Sequence, residues 1–190
     1  MTSWGEWFEE RRTEGLGRGL SLFLVAAGAF GLGALGLRMF TGGGGSGSDR
    51  VGKNVAALTL RDRDGHVSTL GEYSGQVVVV DFWATWCPPC RMSLPELAAL
   101  QKNQDTSYKV VPVSLDREGF AAVLPFFQQN PALAVTAMVP ADASVLDRQV
   151  GAISAIPTTL IVGRDGKVAR AWMGFSPGRL DQELKAELAR

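Results

Sequence analysis

Four valines and an aspartate, Val77–Asp81, run within six residues into Cys87-Pro88-Pro89-Cys90, and this junction narrows the possible folds more than any other feature. A short β-branched run suits a strand buried on both faces. Met92 to Lys102 then places Leu94, Leu97, Ala98 and Leu100 at helical spacing, and Val110 to Ser114 reads as a second apolar strand. Strand, helix and strand in that order predict a parallel βαβ unit, with the cysteines where the first strand hands over to the helix.

The remaining elements are coarser. Leu58–Leu60 and Val67–Leu70 flank Asp64-Gly65, a hairpin-favouring pair. Thr158–Val162 and Val168–Trp172 flank a second such turn, Arg164-Asp165-Gly166-Lys167. Gly119–Gln129 reads as a helix that Pro125 should kink or break, and Val145–Val150 as a short helix. At the end Ser176 is placed to cap a helix and Pro177 to open it, with Leu180, Leu184 and Leu188 recurring every four residues.

Ahead of this lies a different kind of segment. No charged residue occurs from Gly19 to Leu37, and a helix of that length spans about 28 Å, close to a hydrocarbon core of about 30 Å. A buried soluble helix and a cleaved signal peptide compete with a membrane anchor. The length of the run and the preceding Glu6, Glu9, Glu10 and Glu14 favour an uncleaved anchor. Thr41–Asp49 is rich in Gly and Ser, a coil with a reach of roughly 16 Å. The organisation expected is therefore an N-terminal cytoplasmic segment, 1–18, a transmembrane helix, 19–38, a linker, 39–50, and a folded domain, 51–190. Arg11, Arg12 and Arg18 precede the span while Arg38, Arg50 and Lys53 follow it, so basic residues alone do not orient it.

Composition excludes several functions. The 19 basic and 19 acidic residues cancel, leaving no excess of positive charge to meet phosphates, so no nucleic-acid partner is expected. Two cysteines and the lone His66 fall short of a four-ligand zinc site, and no metal is expected. His66 beside a turn reads as solvated, Trp83 as core and Glu96 as an exposed helical residue.

The cysteine pair carries the chemistry. Cys87, expected to be the exposed nucleophile, stands at a helix N-terminus and faces free N–H groups and a partial positive charge, which favour thiolate over thiol. Pro88 and Pro89 have no N–H, leaving the Cys90 N–H as the donor to the Cys87 sulfur. Cys90, one turn on, is placed to resolve a mixed disulfide. The prolines add no charge, which leans towards a reductant. A purely structural bridge closing so small a loop would add little stability.

The segment Val80-Asp-Phe-Trp-Ala-Thr-Trp-Cys-Pro-Pro-Cys-Arg resembles the active site of thioredoxin-fold proteins, most closely the TlpA/ResA-like thiol-disulfide oxidoreductases. These include the cytochrome c biogenesis thioredoxins. The likeness extends over about 51–190, through Leu94-Pro95-Glu96-Leu97, Ile156-Pro157-Thr158-Thr159 and Arg164-Asp165-Gly166-Lys167. It implies an α/β domain with a thioredoxin-like central mixed sheet flanked by helices. It also implies a domain exported from the bacterial cytoplasmic membrane to the periplasm or cell exterior. No cofactor beyond the redox-active disulfide Cys87–Cys90 is implied.

Residue by residue, the resemblance makes Pro157 a cis-proline beside the cysteines, with Ile156 lining a substrate groove. An ordinary trans proline opening a strand is the alternative. Asp81 matches a buried carboxylate that shuttles the Cys90 proton, against a strand-end Asp pairing with a base or with the backbone. Ser93 departs from the pattern, since several ResA-like proteins carry Glu there. Pro95 matches a helix-kinking proline. Trp86, Pro88 and Pro89 complete an apolar docking face for protein thiols and disulfides. Re-reduction would fall to a transmembrane thiol carrier. Two other readings stay open: a peroxiredoxin-like peroxidase, although Thr85 is only two residues before Cys87, and a thiol-dependent chaperone without turnover.

Overall fold

The computed structural model describes residues 47–190. The expected cytoplasmic segment, the membrane span and most of the linker lie outside the described residues. Among the described residues no helix is long and apolar enough to cross a membrane. The elements begin with β1 (Thr59–Arg61), β2 (Val67–Thr69), β3 (Val77–Trp83), α1 (Pro88–Asn103), β4 (Tyr108–Ser114) and α2 (Phe120–Gln129). They continue with β5 (Val139–Pro140), α3 (Leu146–Val150), β6 (Thr158–Val162), β7 (Val168–Met173) and α4 (Arg179–Leu188).

The central sheet has the order β4–β3–β6–β7. β3 and β4 run parallel across α1, while β6 is antiparallel to β3 and β7 to β6. This is a thioredoxin-like mixed sheet. Every residue of β3 is buried, because both sheet faces are covered. Val77, Val79 and Trp83 meet Leu94 and Leu97 of α1, Phe126 of α2, and Leu180 and Leu184 of α4. Val78, Val80 and Phe82 on the other face meet Leu58, Leu60, and Leu146 and Val150 of α3. A small sheet, β2–β1–β5, edges the domain. β5 has only two residues, too few to show a periodic signal in sequence.

Several expected boundaries move. β3 continues past Asp81 to Trp83, which pairs with Ser114. α1 begins at Pro88 rather than Met92, since both prolines fit the first turn, where their missing N–H groups would find no helical partner. α2 runs through Pro125 without a break. The carbonyl deprived of its donor belongs to exposed Ala121, where water can replace it. α4 starts after Gly178, not at Ser176-Pro177. Gly178 takes a left-handed conformation (φ 75°) that interrupts the helical path, so Ser176 and Pro177 lie in the preceding turn. Gly47–Arg50, at the end of the stretch read as linker, forms a 3-10 turn, and buried Arg50 donates to the Ala152 carbonyl.

Leu160 is fully buried on the sheet face that packs against α3, away from the cysteines. Leu160→Ala should lower unfolding stability by about 2–5 kcal/mol in urea titrations. A loss below about 0.5 kcal/mol would contradict this account of the core.

Candidate active site

Cys87 and Cys90 are joined in a disulfide at the start of α1. Cys87 is the N-cap, and its Sγ accepts the Cys90 N–H at 3.2 Å. With prolines at the first two helical positions, that N–H is the first one the helix can offer. The same donor would serve a Cys87 thiolate better still, because a charged acceptor strengthens the bond.

The turn carrying Cys87 is clamped from two sides. The Asp116 carboxylate, just beyond β4, accepts from the Thr85 N–H at 2.9 Å and the Thr85 hydroxyl at 2.7 Å. Ser114 Oγ donates to the same carboxylate at 2.8 Å. From α1, Arg91 donates to the Thr85 carbonyl through Nε at 2.9 Å and Nη2 at 2.7 Å. Its guanidinium lies 5.1 Å from the Phe126 ring centre. Sequence reasoning missed Asp116 and Arg91. The available signal was weak: an Asp two residues past a strand-end Ser, and an Arg directly after the second cysteine.

Trp86, Cys87, Pro88 and Pro89 form one side of an open, mainly apolar groove of about 480 Å³, with Leu115 and Ile153–Ile156 opposite. Trp86 is 65% exposed. Cys87, expected to be exposed, is only 3% exposed, because the disulfide and the groove walls cover it. Its Sγ lies 3.7 Å from the Ile156 carbonyl oxygen. The Ile156–Pro157 peptide bond is cis, and the Pro157 carbonyl accepts from the Gly174 N–H at 2.7 Å. The structure thus brings together Trp86, Cys87, Pro88, Pro89 and Ile156 at the groove, with Pro157 beside it.

Asp81 sits deeper. Strand alternation puts it on the β3 face that also buries Val79, Trp83 and Cys90. It is 1% exposed, and Oδ1 accepts the Thr159 hydroxyl at 2.6 Å. Burial pushes its carboxyl up to about 7; the Thr159 bond lowers it and the nearby Glu96 charge raises it further. Among the described residues no cation pairs with Asp81. Glu96, expected on an exposed face, is half-buried and lines a crevice with Asp81, Ser93 and Pro157. His66 is exposed, 3.2 Å from Asp62. Among the described residues no cluster of three or more His, Cys, Asp or Glu is placed to hold a metal.

A thioredoxin-like domain with a Cys-x-x-Cys disulfide capping its first long helix defines the class of thiol-disulfide oxidoreductases. The chain belongs to the Redoxin family, whose model matches residues 50–187. It is similar to the thiol-disulfide oxidoreductase ResA of Bacillus subtilis, 27% identical over 65% of this chain and 67% of that protein. ResA of Geobacillus kaustophilus is 30% identical over 65% of this chain and 70% of its own length. Among solved structures, a Chlorobium tepidum protein provisionally assigned as the thiol:disulfide interchange protein DsbE matches with a TM-score of 0.60 and 32% identity. That match covers 73% of this chain and 97% of that one. The chain is accordingly a thiol-disulfide oxidoreductase of the thioredoxin/ResA type, with Cys87 and Cys90 as its pair.

The raised Asp81 carboxyl makes stability depend on pH in a definite direction. Between 3.8 and about 7 the folded state holds a proton that the unfolded chain has released. Stability from this group is therefore full below 3.8 and lost as pH rises through about 7, a change of at most on the order of 4 kcal/mol. Asp81→Asn should be more stable than the parent chain at pH 8, with the gap closing towards pH 4. Urea midpoints across that range check this; equal destabilisation at every pH contradicts it.

Proposed function

We propose that the protein reduces disulfides of exported proteins, with Cys87 as nucleophile and Cys90 as resolving thiol. The observation that carries this reading is the Cys90 N–H donated to Cys87 Sγ at a helix N-terminus, on the floor of an apolar groove. Cys87 attacks a substrate disulfide and forms a mixed disulfide. Cys90 attacks Cys87 Sγ, releasing the second substrate thiolate and leaving Cys87–Cys90 oxidised. Asp81 accepts the Cys90 proton; its carboxyl, pushed up to about 7, changes charge in the range where that transfer is needed. Pro157 presents no N–H beside the pair, and Ile156 offers backbone groups for an extended polypeptide. Two neutral prolines between the cysteines favour the reducing direction.

The reading continues to the rest of the chain. Residues 1–18 stay in the cytoplasm, 19–38 span the bacterial cytoplasmic membrane, and a linker over 39–50 tethers the domain, 51–190, in the periplasm or outside the cell. The apolar run from Gly19 to Leu37 supports the span. A transmembrane thiol carrier returns electrons to the oxidised pair. Within this reading the resemblance to cytochrome c biogenesis thioredoxins makes apocytochrome c thiols one substrate class.

Cys90→Ser should trap envelope proteins as mixed disulfides through Cys87, released by dithiothreitol and visible on non-reducing gels. Cys87→Ser should trap almost none. Trapping by Cys87→Ser alone would reverse the two roles, and trapping only of cytoplasmic proteins would overturn the placement of the domain.

A further inference from the structure

A buried carboxyl that takes up and gives back protons needs a path to water. The substrate groove does not supply one, because Asp81 is absent from its walls. Asp81 opens instead onto a narrow crevice under the start of α1. Ser93 and Glu96 bound it from the helix, Pro157 and Thr159 from the start of β6, and Trp172 from β7. Its free volume is only about 10 Å³, the lower limit for holding one water molecule. One Asp81 oxygen is taken by Thr159. The other, Oδ2, is buried without a protein partner among the described residues, where a water would relieve the cost of an unpaired polar atom.

Glu96 stands three residues beyond Ser93, and Ser93 three beyond Cys90, so each is the neighbour of the next along α1. Among the described residues it is, besides Asp81, the only ionisable one lining the crevice. The other groups packed around Asp81 are neutral or engaged. Thr159 comes from β6, Trp172 from β7 and Leu180 from α4. Arg179 lies 4.8 Å from the Trp172 ring centre and within 3.9 Å of Glu183. Cys90 from α1 completes the surroundings on the shared sheet face.

We propose that Glu96 is the proton port of Asp81, a positioning residue that passes protons between Asp81 and solvent through one water in this crevice. The proposal rests on the reading of Asp81 as acceptor of the Cys90 proton. In the resolving step the Cys90 S–H bond breaks and its proton goes to Asp81. Cys90 sulfur forms the new bond to Cys87 as the Cys87–substrate bond breaks. The electron pair leaves with the substrate thiolate, which is protonated from solvent. Asp81 then loses its proton to the crevice water, Glu96 takes one from that water, and Glu96 delivers it to bulk. The two routes have separate walls, so a docked polypeptide leaves the proton path open.

The reaction of the reduced full-length chain with 5,5′-dithiobis(2-nitrobenzoate) tests this. The first thionitrobenzoate released reports attack by Cys87, and the second, unimolecular release reports resolution by Cys90. Glu96→Gln should slow the second release about tenfold near neutral pH. Imidazole buffer, a mobile proton carrier, should restore it, and Glu96→Asp should retain part of the rate. Circular dichroism confirms that each variant is folded. If Glu96→Gln keeps the parental second phase and pH profile while Asp81→Asn slows it, the port is wrong and the role of Asp81 stands. A slowed Glu96→Gln that imidazole leaves unrestored also overturns the port. An unchanged second phase in Asp81→Asn removes the role of Asp81 and the port with it.

Discussion

The Cys87 sulfur caps a helix, taking the place that a Ser, Asp or Asn oxygen usually fills. Helix N-termini present free N–H groups and partial positive charge, and here the two prolines leave one N–H, that of Cys90, to meet the sulfur. The bond ties the state of the sulfur to the integrity of the helix. It also fixes the spacing of the pair, since the donor belongs to the residue that carries the second sulfur. Most other features of the domain hold that cap in place. β3, buried on both faces, delivers the chain to it, while Asp116 and Arg91 hold Thr85 from opposite sides.

A rigid frame of this kind carries a thermodynamic burden at Asp81. A buried carboxyl without a cation favours its neutral form, so at neutral pH the fold carries a charge, or holds a proton, that water would treat more favourably. A fold selected for stability alone would place a valine there, continuing the run from Val77 to Val80. Retaining the acid is intelligible where it lies, on the sheet face that also buries Cys90.

The parts legible in sequence are those with a strong local signal. The valine run, the Cys-Pro-Pro-Cys junction and the two Asp-Gly or Asp-Gly-Lys turns located the βαβ unit and both hairpins, because each depends on neighbours a few residues away. The Cys90 N–H donation followed from simple elimination of two proline nitrogens. Arg91, only six residues from Thr85, was not legible because its contact is with a backbone carbonyl, which leaves no mark on residue type. Asp116 was not legible, since its partner Thr85 is brought to it by the parallel pairing of β3 and β4, 31 residues apart. Glu96 misled for the same reason. Its helical position looks solvent-facing until β7 and the turn before α4 close over it. The start of α4 was misplaced because Ser-Pro resembles a cap locally, whereas the left-handed Gly178 sets the actual boundary.

The packing of Arg50 bears on how the domain meets its substrates. Its guanidinium holds the Ala152 carbonyl, and Ile153–Ile156, immediately following, form one wall of the groove at Cys87. Thr158 braces the same loop from the other end, donating to the Ala155 carbonyl at 2.6 Å. The chain therefore enters the folded domain at the base of the loop that lines the groove, not at a remote edge. An apolar groove works by removing water from both surfaces, and that gain is largest when its walls are already ordered. Bracing the loop at both ends reduces the entropy lost when a polypeptide docks. The same residue that ends the N-terminal stretch thus contributes to the order of the wall against which a substrate disulfide is presented to Cys87.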